Sequence, residues 1–243
     1  MTLRQEELDR YKRQILIEGW GVERQEQLKR ASVFVAGAGG LGSPVLFYLA
    51  AAGLGRITIC DDDLVSLSNL NRQIIHPLSA LDRSKAESSA EAVLRFNPDV
   101  QVVALSSRIS KDNAGSLIDG HDVIVDCLDN LETRLHVNRA AVAKRMPLVH
   151  AGIFGMGGQV TFIQPPETAC LACLFRTDNV SANAAVVGCT PGILGSIQAL
   201  ETIKFLTGIG DNLKNRLLVM DGKRLDFDIV EIARDPECPV CGK

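Results

Sequence analysis

Two pairs of cysteines are the residues of this chain whose type and spacing indicate chemistry most directly. Each pair has the spacing CxxC, Cys170 with Cys173 and Cys238 with Cys241. One pair could direct two thiolates at a metal ion, so the four cysteines together predict a tetrahedral, structural Zn²⁺ site. A redox-active CxxC motif and unrelated buried thiols are the alternatives. Because the pairs lie far apart in sequence, the fold must bring them together.

A glycine-rich loop is the second chemical signal. It follows the pattern GxGxxG, between a short apolar run and a predicted helix, with glycines at Gly37, Gly39, Gly40 and Gly42. In that context the backbone N–H groups at the start of the helix hold a phosphate. Asp61 lies about 20 residues further on, where an acid accepts hydrogen bonds from ribose hydroxyls. The pattern predicts an adenine-nucleotide site, with a structural turn as the alternative, and does not distinguish NAD from ATP.

Polar and basic residues that come after Asp61 favour ATP over NAD. They are Asn69, Arg72, Gln73 and, further along, Lys85. An enzyme that cleaves ATP uses cations near the phosphates, because negative charge develops on the transferring and leaving groups. A hydride-transfer enzyme has no such need. For any one of these cations taken alone, the alternative is a solvated surface position.

Asp129 and Asn130 follow another predicted strand, Val123–Asp126. Ligands bind at the carboxyl ends of parallel strands, so Asp129 could bind a Mg²⁺ ion that bridges phosphate oxygens. The alternative for this pair is to cap the helix predicted from Glu132 to Arg145. The sequence leaves both interpretations open.

Strands alternate with helices up to residue 150, which predicts an α/β fold: a Rossmann-like, doubly wound, mainly parallel sheet. We expect an N-terminal helical arm, C-terminal antiparallel strands and a zinc-bound tail. The predicted strands are 32–36, 56–60, 100–105, 123–126, 148–150, 159–163, 217–220 and 225–231, and the predicted helices are 44–52, 84–96, 132–145 and 192–206. We expect one domain over 1–243, with an arm at 1–30, a nucleotide-binding core at 31–165 and a crossover loop, helix, strands and tail at 166–243.

Composition excludes several classes of function. The 26 basic and 29 acidic residues give a net charge of −3, and there are only 2 Tyr and 1 Trp. This balance argues against a nucleic-acid or membrane partner. The uncharged stretches Ser32–Gly55 and Asn179–Leu200 are interrupted by glycine and proline, so we interpret both as buried rather than membrane-spanning. The first residues do not form a signal peptide, which predicts a cytoplasmic protein.

Several of these motifs together resemble the MoeB/ThiF/HesA family, bacterial relatives of the ubiquitin-activating enzymes. The matching residues are Gly37–Gly42, Asp61, Ser68–Gln73, Lys85, Asp126–Asn130 and Arg134, within a resemblance that extends from Arg10 to Cys241. It implies ATP- and Mg²⁺-dependent adenylation of the C-terminal glycine of a small ubiquitin-like sulfur-carrier protein ending in Gly-Gly. The carrier would later form a thiocarboxylate for molybdopterin or thiamin biosynthesis. No sulfurtransferase domain follows Cys241, so we expect a separate protein to donate the sulfur.

The resemblance also implies roles for individual residues. Asp61 would hold the ribose, Asn69, Arg72 and Lys85 would bind and neutralise the phosphates, and Asp129 would bind Mg²⁺. Arg13 matches an arginine that reaches into the site of a neighbouring subunit, which implies a homodimer with shared sites. The same two CxxC pairs occur in the family, which supports the zinc site. An NAD-dependent oxidoreductase and a non-catalytic nucleotide- or carrier-binding scaffold are the competing hypotheses.

The remaining cysteines and histidines are interpreted more simply. Cys60 and Cys127 are expected to be buried, small apolar residues. In some members of the family, a loop cysteine forms a covalent link to the partner protein, and that position falls near Ser181 here. Cys189 is closer to the following helix and is a candidate substitute. His76 is expected on a helix or loop surface, as is His136.

Overall fold

An eight-stranded sheet organises the computed structural model, which describes residues 2–175 and 185–242. The strands lie in the order β3-β2-β1-β4-β5-β6-β7-β8. They are β1 (Ser32–Ala36), β2 (Arg56–Cys60), β3 (Gln101–Leu105), β4 (Val123–Asp126), β5 (Leu148–Phe154), β6 (Gly157–Ile163), β7 (Arg216–Asp221) and β8 (Asp226–Glu231). The described helices are α1 (Gln5–Arg10), α2 (Lys12–Ile15), α3 (Gly21–Arg30), α4 (Gly42–Ala52), α5 (Lys85–Phe96), α6 (Ala114–Leu117), α7 (Leu131–Lys144), α8 (Leu171–Leu174) and α9 (Cys189–Thr207).

The first five strands are parallel, as the alternating pattern predicts. Strands β1 and β4 are buried throughout, because helices cover both faces of the sheet. Register places Ala36 beside Cys60 and Asp126, and Asp126 beside His150. The carboxyl ends of these strands therefore meet at one edge, and the segments that leave β1, β2 and β4 start next to one another.

The last three strands are antiparallel, which confirms the predicted change of pairing. Strand β5 is longer than predicted, because residues up to Phe154 pair with β6 in a hairpin. The β7–β8 turn follows Asp221, as expected, and β8 forms the exposed edge of the sheet. The glycine of that turn, Gly222, packs tightly against the backbone of Met156 in the β5–β6 turn. The two hairpin turns therefore lie together.

Helix α9 begins at Cys189, three residues before the predicted start at Gly192. Pro191 lies in its first turn, where the missing N–H breaks no helical hydrogen bond. The helix packs along α4 and across β5 and β6, and Gly195 fits against the backbone of Leu41. Among residues 2–175 and 185–242, no helix has both the length and the apolar character needed to cross a membrane.

The N-terminal arm is helical, as predicted, and consists of α1, α2 and α3. Tyr11 and Gln25 are buried against Gly53, which ends α4, and Tyr11 accepts a hydrogen bond from Asn97 at the end of α5. The arm therefore packs on the C-terminal end of α4. The glycine loop is at the other end of this helix, and at 1.5 Å per residue an 11-residue helix separates the two by about 16 Å.

Candidate nucleotide site and cysteine cluster

The glycine loop joins β1 to α4 at the shared edge of the parallel strands. Gly37 has φ +96°, and a Cβ there would lie 2.7 Å from the carbonyl oxygen of Cys127. A Cβ on Gly42 would overlap the carbonyl oxygen of Gly37, so only glycine allows this approach of helix and loop. Within the described residues, the N–H groups of Gly39, Gly40 and Leu41 have no hydrogen-bond partner. The loop thus offers three adjacent donors at a helix start, which is the arrangement that binds an anion.

Asp61 lies directly beside this loop. Its Oδ2 accepts a hydrogen bond of 2.7 Å from the N–H of Ala38, and its Oδ1 accepts one of 2.9 Å from the N–H of Asp63. Burial raises the pKa of Asp61, against the lowering effect of the Ala38 N–H and of Lys85. An open cavity of about 270 Å³ adjoins Asp61 and Gly37 and is lined by further polar residues such as Asn130. The carboxylate therefore faces a space of suitable polarity for a nucleoside.

Arg72 and Gln73 cover the loop from the other side. The side chain of Arg72 is half-buried, with its Cγ close to Gly40, and its guanidinium donates to the carbonyl of Ser68 and to Oδ1 of Asn71, at 3.0 Å each. No acidic side chain in the described part of the chain pairs with it. Gln73 is buried against Gly39, and its Oε1 has no hydrogen-bond partner there. Beside the loop, Arg72 therefore carries a positive charge without an acidic partner, and Gln73 carries an acceptor oxygen without a donor, among the described residues.

Asn69 and Lys85 lie on the same side of the fold, but each already has a partner. Oδ1 of Asn69 accepts a hydrogen bond of 3.2 Å from the N–H of Ser66, which closes a short 3₁₀ turn. Lys85 is the first residue of α5; its buried ammonium lies 2.7 Å from Oδ2 of Asp63. The positive charge of Lys85 is thus neutralised by an exposed carboxylate, which a nucleotide phosphate could replace.

Asp129 and Asn130 differ in their contacts within the described structure. Asn130 is the N-cap of α7, since its Oδ1 accepts a hydrogen bond of 2.9 Å from the N–H of Thr133. The capping role that the sequence left open for this pair is therefore confirmed for Asn130. Asn130 also lines the cavity. The carboxylate of Asp129 is exposed and has no hydrogen bond or ion pair with any described residue. Asp129 lies between Leu128 and Asn130, which both line the cavity, and a carboxylate with free oxygens is a ligand type suited to Mg²⁺.

A buried charge cluster holds the segment from which Asp129 projects. Oδ2 of Asp126 accepts a hydrogen bond of 2.7 Å from Nδ1 of His150 and lies 3.6 Å from Nε of Arg134. Arg134 also donates to the carbonyl of Leu128. Burial acts to raise the pKa of Asp126, but Arg134 and His150 hold it below its usual value. Sequence reasoning missed His150, although a histidine at the end of an apolar strand run was a usable signal.

His76 corrects a prediction. It is buried rather than on a helix or loop surface, with Nε2 3.0 Å from the carbonyl oxygen of Ala38 and Nδ1 3.0 Å from Oγ of Ser88. Burial lowers the pKa of His76. The signal available in the sequence was its position directly after two apolar residues, Ile74 and Ile75, in the segment that begins at Asn69. His136, by contrast, lies on α7, half-buried.

Arg13 does not join the site of its own chain. It is an exposed residue of α2, in the arm that packs about 16 Å from the loop at the far end of α4. Cys189, in contrast, begins α9 close to the site. Its neighbour Gly188 packs against Asn71 and Arg72, and Pro191 packs against Gly40. Cys189 is exposed, and Ser181 lies outside the described residues.

The four predicted cysteine ligands come together at the base of the C-terminal tail. Their sulfurs all lie within 4.8 Å of one another, with 3.8 Å between Cys170 and Cys238 and 3.4 Å between Cys173 and Cys241. Four sulfurs about 2.3 Å from a tetrahedral Zn²⁺ would be about 3.8 Å apart. The cluster therefore fits zinc in both ligand type and spacing. Cys60 and Cys127 are buried elsewhere, as predicted.

Comparison with known proteins agrees with this geometry, since the model of the ThiF family matches residues 11–240. The chain belongs to the ThiF family. It is 40% identical over 249 residues to the SAMP-activating enzyme E1 of Haloferax volcanii, covering 100% of this chain and 92% of that protein. It is 39% identical to the sulfur carrier protein ThiS adenylyltransferase of Escherichia coli, covering 96% and 94% of the two chains.

A third ThiF-family relative is the molybdopterin-synthase adenylyltransferase of Salmonella typhimurium, 37% identical and covered to 99% in both chains. Among solved structures, the crystal structure of E. coli MccB with ATP has a TM-score of 0.88. The match covers 98% of this chain and 75% of that one at 23% identity, so it establishes the shared fold. The α/β fold with its antiparallel C-terminal strands is thus a known ThiF-type architecture.

Proposed function

We propose that this protein is an ATP- and Mg²⁺-dependent adenylyltransferase that activates the C-terminal glycine of a small ubiquitin-like sulfur carrier. The observation that carries the proposal is the position of Arg72. Its side chain passes Gly40 of the glycine loop with Cγ in contact, and its half-buried guanidinium has no acidic partner in the described part of the chain. The loop beside it carries three N–H groups without a partner among the described residues. Such a site has an excess of donors, which a polyphosphate would satisfy. The three relatives are named for activating or adenylylating enzymes.

The reaction suits these residue types because a C-terminal carboxylate is already ionised near neutral pH. A carboxylate oxygen attacks the α-phosphorus, the bond from that phosphorus to the bridging oxygen breaks, and pyrophosphate leaves with the electron pair. No proton needs to be removed, so the site needs no general base. It needs to position the two anions and to screen their charges from each other, which Arg72, Lys85 and the loop N–H groups would do.

Two metal ions belong to the proposal. Asp129 would hold Mg²⁺, which supplies positive charge to the phosphate oxygens when bound. Zn²⁺ would be held by the four cysteines and would have no part in the chemistry, because a site closed by four sulfurs leaves no position for a substrate. It would fasten the C-terminal tail to the body of the protein. Asp61 would hold the ribose, and Gln73 would contact the phosphates.

Arg13 enters the proposal only through a second copy of the chain. Because it lies in the arm that packs at the far end of α4, a helix about 16 Å long, we expect it to act in adenylation only on the site of a partner. We therefore propose a homodimer in which each copy supplies Arg13 to the other. We expect the carrier to serve molybdopterin, thiamin or another thiolation route, and a separate protein to donate the sulfur.

The deciding test is ATP–pyrophosphate exchange with radiolabelled pyrophosphate, with carrier proteins that end in Gly-Gly added one at a time. We expect exchange that depends on one carrier and that falls about 100-fold or more in Arg72→Ala, the scale for losing one preorganised donor to a reacting anion. Arg139→Ala, an exposed arginine of α7, is the matched control. ATP binding without exchange for any carrier would favour a scaffold, and a carrier-independent nicotinamide signal would favour an oxidoreductase.

A further inference from the structure

His76 holds a peptide unit of the glycine loop from behind. Its ring is buried, and both ring nitrogens have partners: Nε2 is 3.0 Å from the carbonyl oxygen of Ala38, and Nδ1 is 3.0 Å from Oγ of Ser88. A carbonyl oxygen only accepts, so Nε2 carries the hydrogen and Nδ1 accepts from the hydroxyl of Ser88. The neutral tautomer is therefore defined by its surroundings.

The peptide unit that His76 holds also contains the N–H of Gly39. In a planar trans peptide, the carbonyl and the N–H point in opposite directions. With the Ala38 carbonyl bound to His76, the Gly39 N–H must point away from the histidine, and it is the first of the three loop donors that have no partner among the described residues. Rotation of this peptide unit would turn a carbonyl oxygen, instead of a donor, towards a phosphate.

Little else in the loop resists that rotation. Gly39 has no side chain, and a Cβ built there would meet only the amide of Gln73, at 3.4 Å. Glycine tolerates backbone conformations on either side of the rotation. Asp61 restrains the preceding peptide unit through the N–H of Ala38, but it makes no contact with the Ala38 carbonyl. The contact from Nε2 is the one that specifies the direction of the Gly39 donor.

We propose that His76 is a positioning residue for phosphate binding: it aims the Gly39 N–H into the nucleotide site by holding the Ala38 carbonyl. The inference rests on the proposed nucleotide-binding function and adds a residue to it. Ser88 extends the connection to α5, where it lies one turn after Lys85. His76 thus joins the glycine loop, the Asn69–Gln73 segment and the helix that carries Lys85.

Three variants test the proposal. His76→Phe keeps a ring but removes the donor. His76→Gln can keep a donor near the position of Nε2. His121→Phe is the matched control. His121 also contacts a carbonyl oxygen, that of Ile118, and a hydroxyl, that of Thr58. It precedes β4 and so lies at the amino ends of the parallel strands, opposite the glycine loop.

The measurement is the dissociation constant of each zinc-loaded protein for ATP and for adenosine, by calorimetry. We expect His76→Phe to bind ATP about tenfold more weakly or worse, the scale of one charge-assisted hydrogen bond, with adenosine binding unchanged. His76→Gln should recover most of the ATP affinity. His121→Phe should lose thermal stability without changing the ratio of the two constants.

The proposal is overturned if His76→Phe binds ATP like the wild type, or loses ATP and adenosine affinity equally, because either result leaves only a structural role. If His76→Phe does not fold, His76→Gln and Ser88→Ala take its place. The inference is overturned if each of these two variants loses affinity for ATP and for adenosine equally. It is supported if Ser88→Ala loses affinity for ATP alone and His76→Gln keeps most of its ATP affinity. Failure of the proposed function is recognised separately, as absence of ATP binding or of carrier-dependent exchange in the wild type.

Discussion

The cysteine cluster and the glycine loop differ in the kind of group that each offers to a ligand. In the cluster, four side chains of one type supply everything that a metal needs, and their sulfurs meet within 4.8 Å. In the loop, the proposed binding groups are backbone N–H donors, and His76 contacts the carbonyl of the peptide unit that carries one of them. A side-chain site is visible in a sequence because its ligands are residue types. A backbone site depends on the direction of peptide units, which residue types reveal only indirectly.

The comparison predicts that substitutions in one region leave the properties of the other unchanged. Asp129→Ala removes the exposed carboxylate suited to Mg²⁺ and should lower carrier-dependent exchange at least 100-fold, because charge on the phosphates is then poorly balanced. Folding and zinc content should be unchanged. Asp112→Ala, another exposed acid, is the control. Full activity of Asp129→Ala in the exchange assay would contradict the magnesium assignment.

Removal of a cysteine ligand should lower zinc content and stability but leave ATP affinity almost unchanged. Cys238→Ser should abolish stoichiometric zinc and lower the free energy of unfolding by about 3–4 kcal/mol, the linkage expected when free metal exceeds its dissociation constant 100- to 1,000-fold. ATP affinity should change little, because none of the four cysteines lines the cavity beside Asp61. Zinc analysis and urea denaturation measure this, with Cys189→Ser as a control outside the cluster. Equal stability with and without zinc would show that the tail is held by packing alone.

The smallest effect concerns Asn130, which belongs to both the scaffold and the nucleotide cavity. Asn130→Ala removes the N-cap of α7 and should cost about 1 kcal/mol of unfolding free energy. Asn130→Asp keeps an oxygen acceptor and should restore that stability. If Asn130→Ala lowers exchange far more than thermal stability, Asn130 has a role in binding as well as in capping. Denaturation and exchange assays on the same preparations separate the two.

Much of the fold follows from local pattern. The buried strands β1, β2 and β4 have few alternatives, since short apolar runs between turn-forming residues suit a sheet covered on both faces. The short helices α6 and α8 were not predicted, and the other differences are at boundaries. Strand β5 continues to Phe154 because β6 pairs with it, and α9 starts at Cys189 because its first turn tolerates Pro191. The extent of strand pairing and the first residue of a helix depend on tertiary contacts. The division of the chain at residues 30 and 165 stays a prediction.

The sequence by itself determined which chemical groups this protein carries: the glycine loop, Asp61, Arg72, Lys85, Asp129 and the four cysteines. Motif and spacing suffice for these because the chemistry of a side chain is a property of its residue type. Only the tertiary structure decided which groups are already paired, as Lys85 is with Asp63, and which are free, as Asp129 is within the described residues. It also revealed His76 and His150, whose roles come from burial and from contacts between residues distant in sequence, and burial is decided by the whole fold.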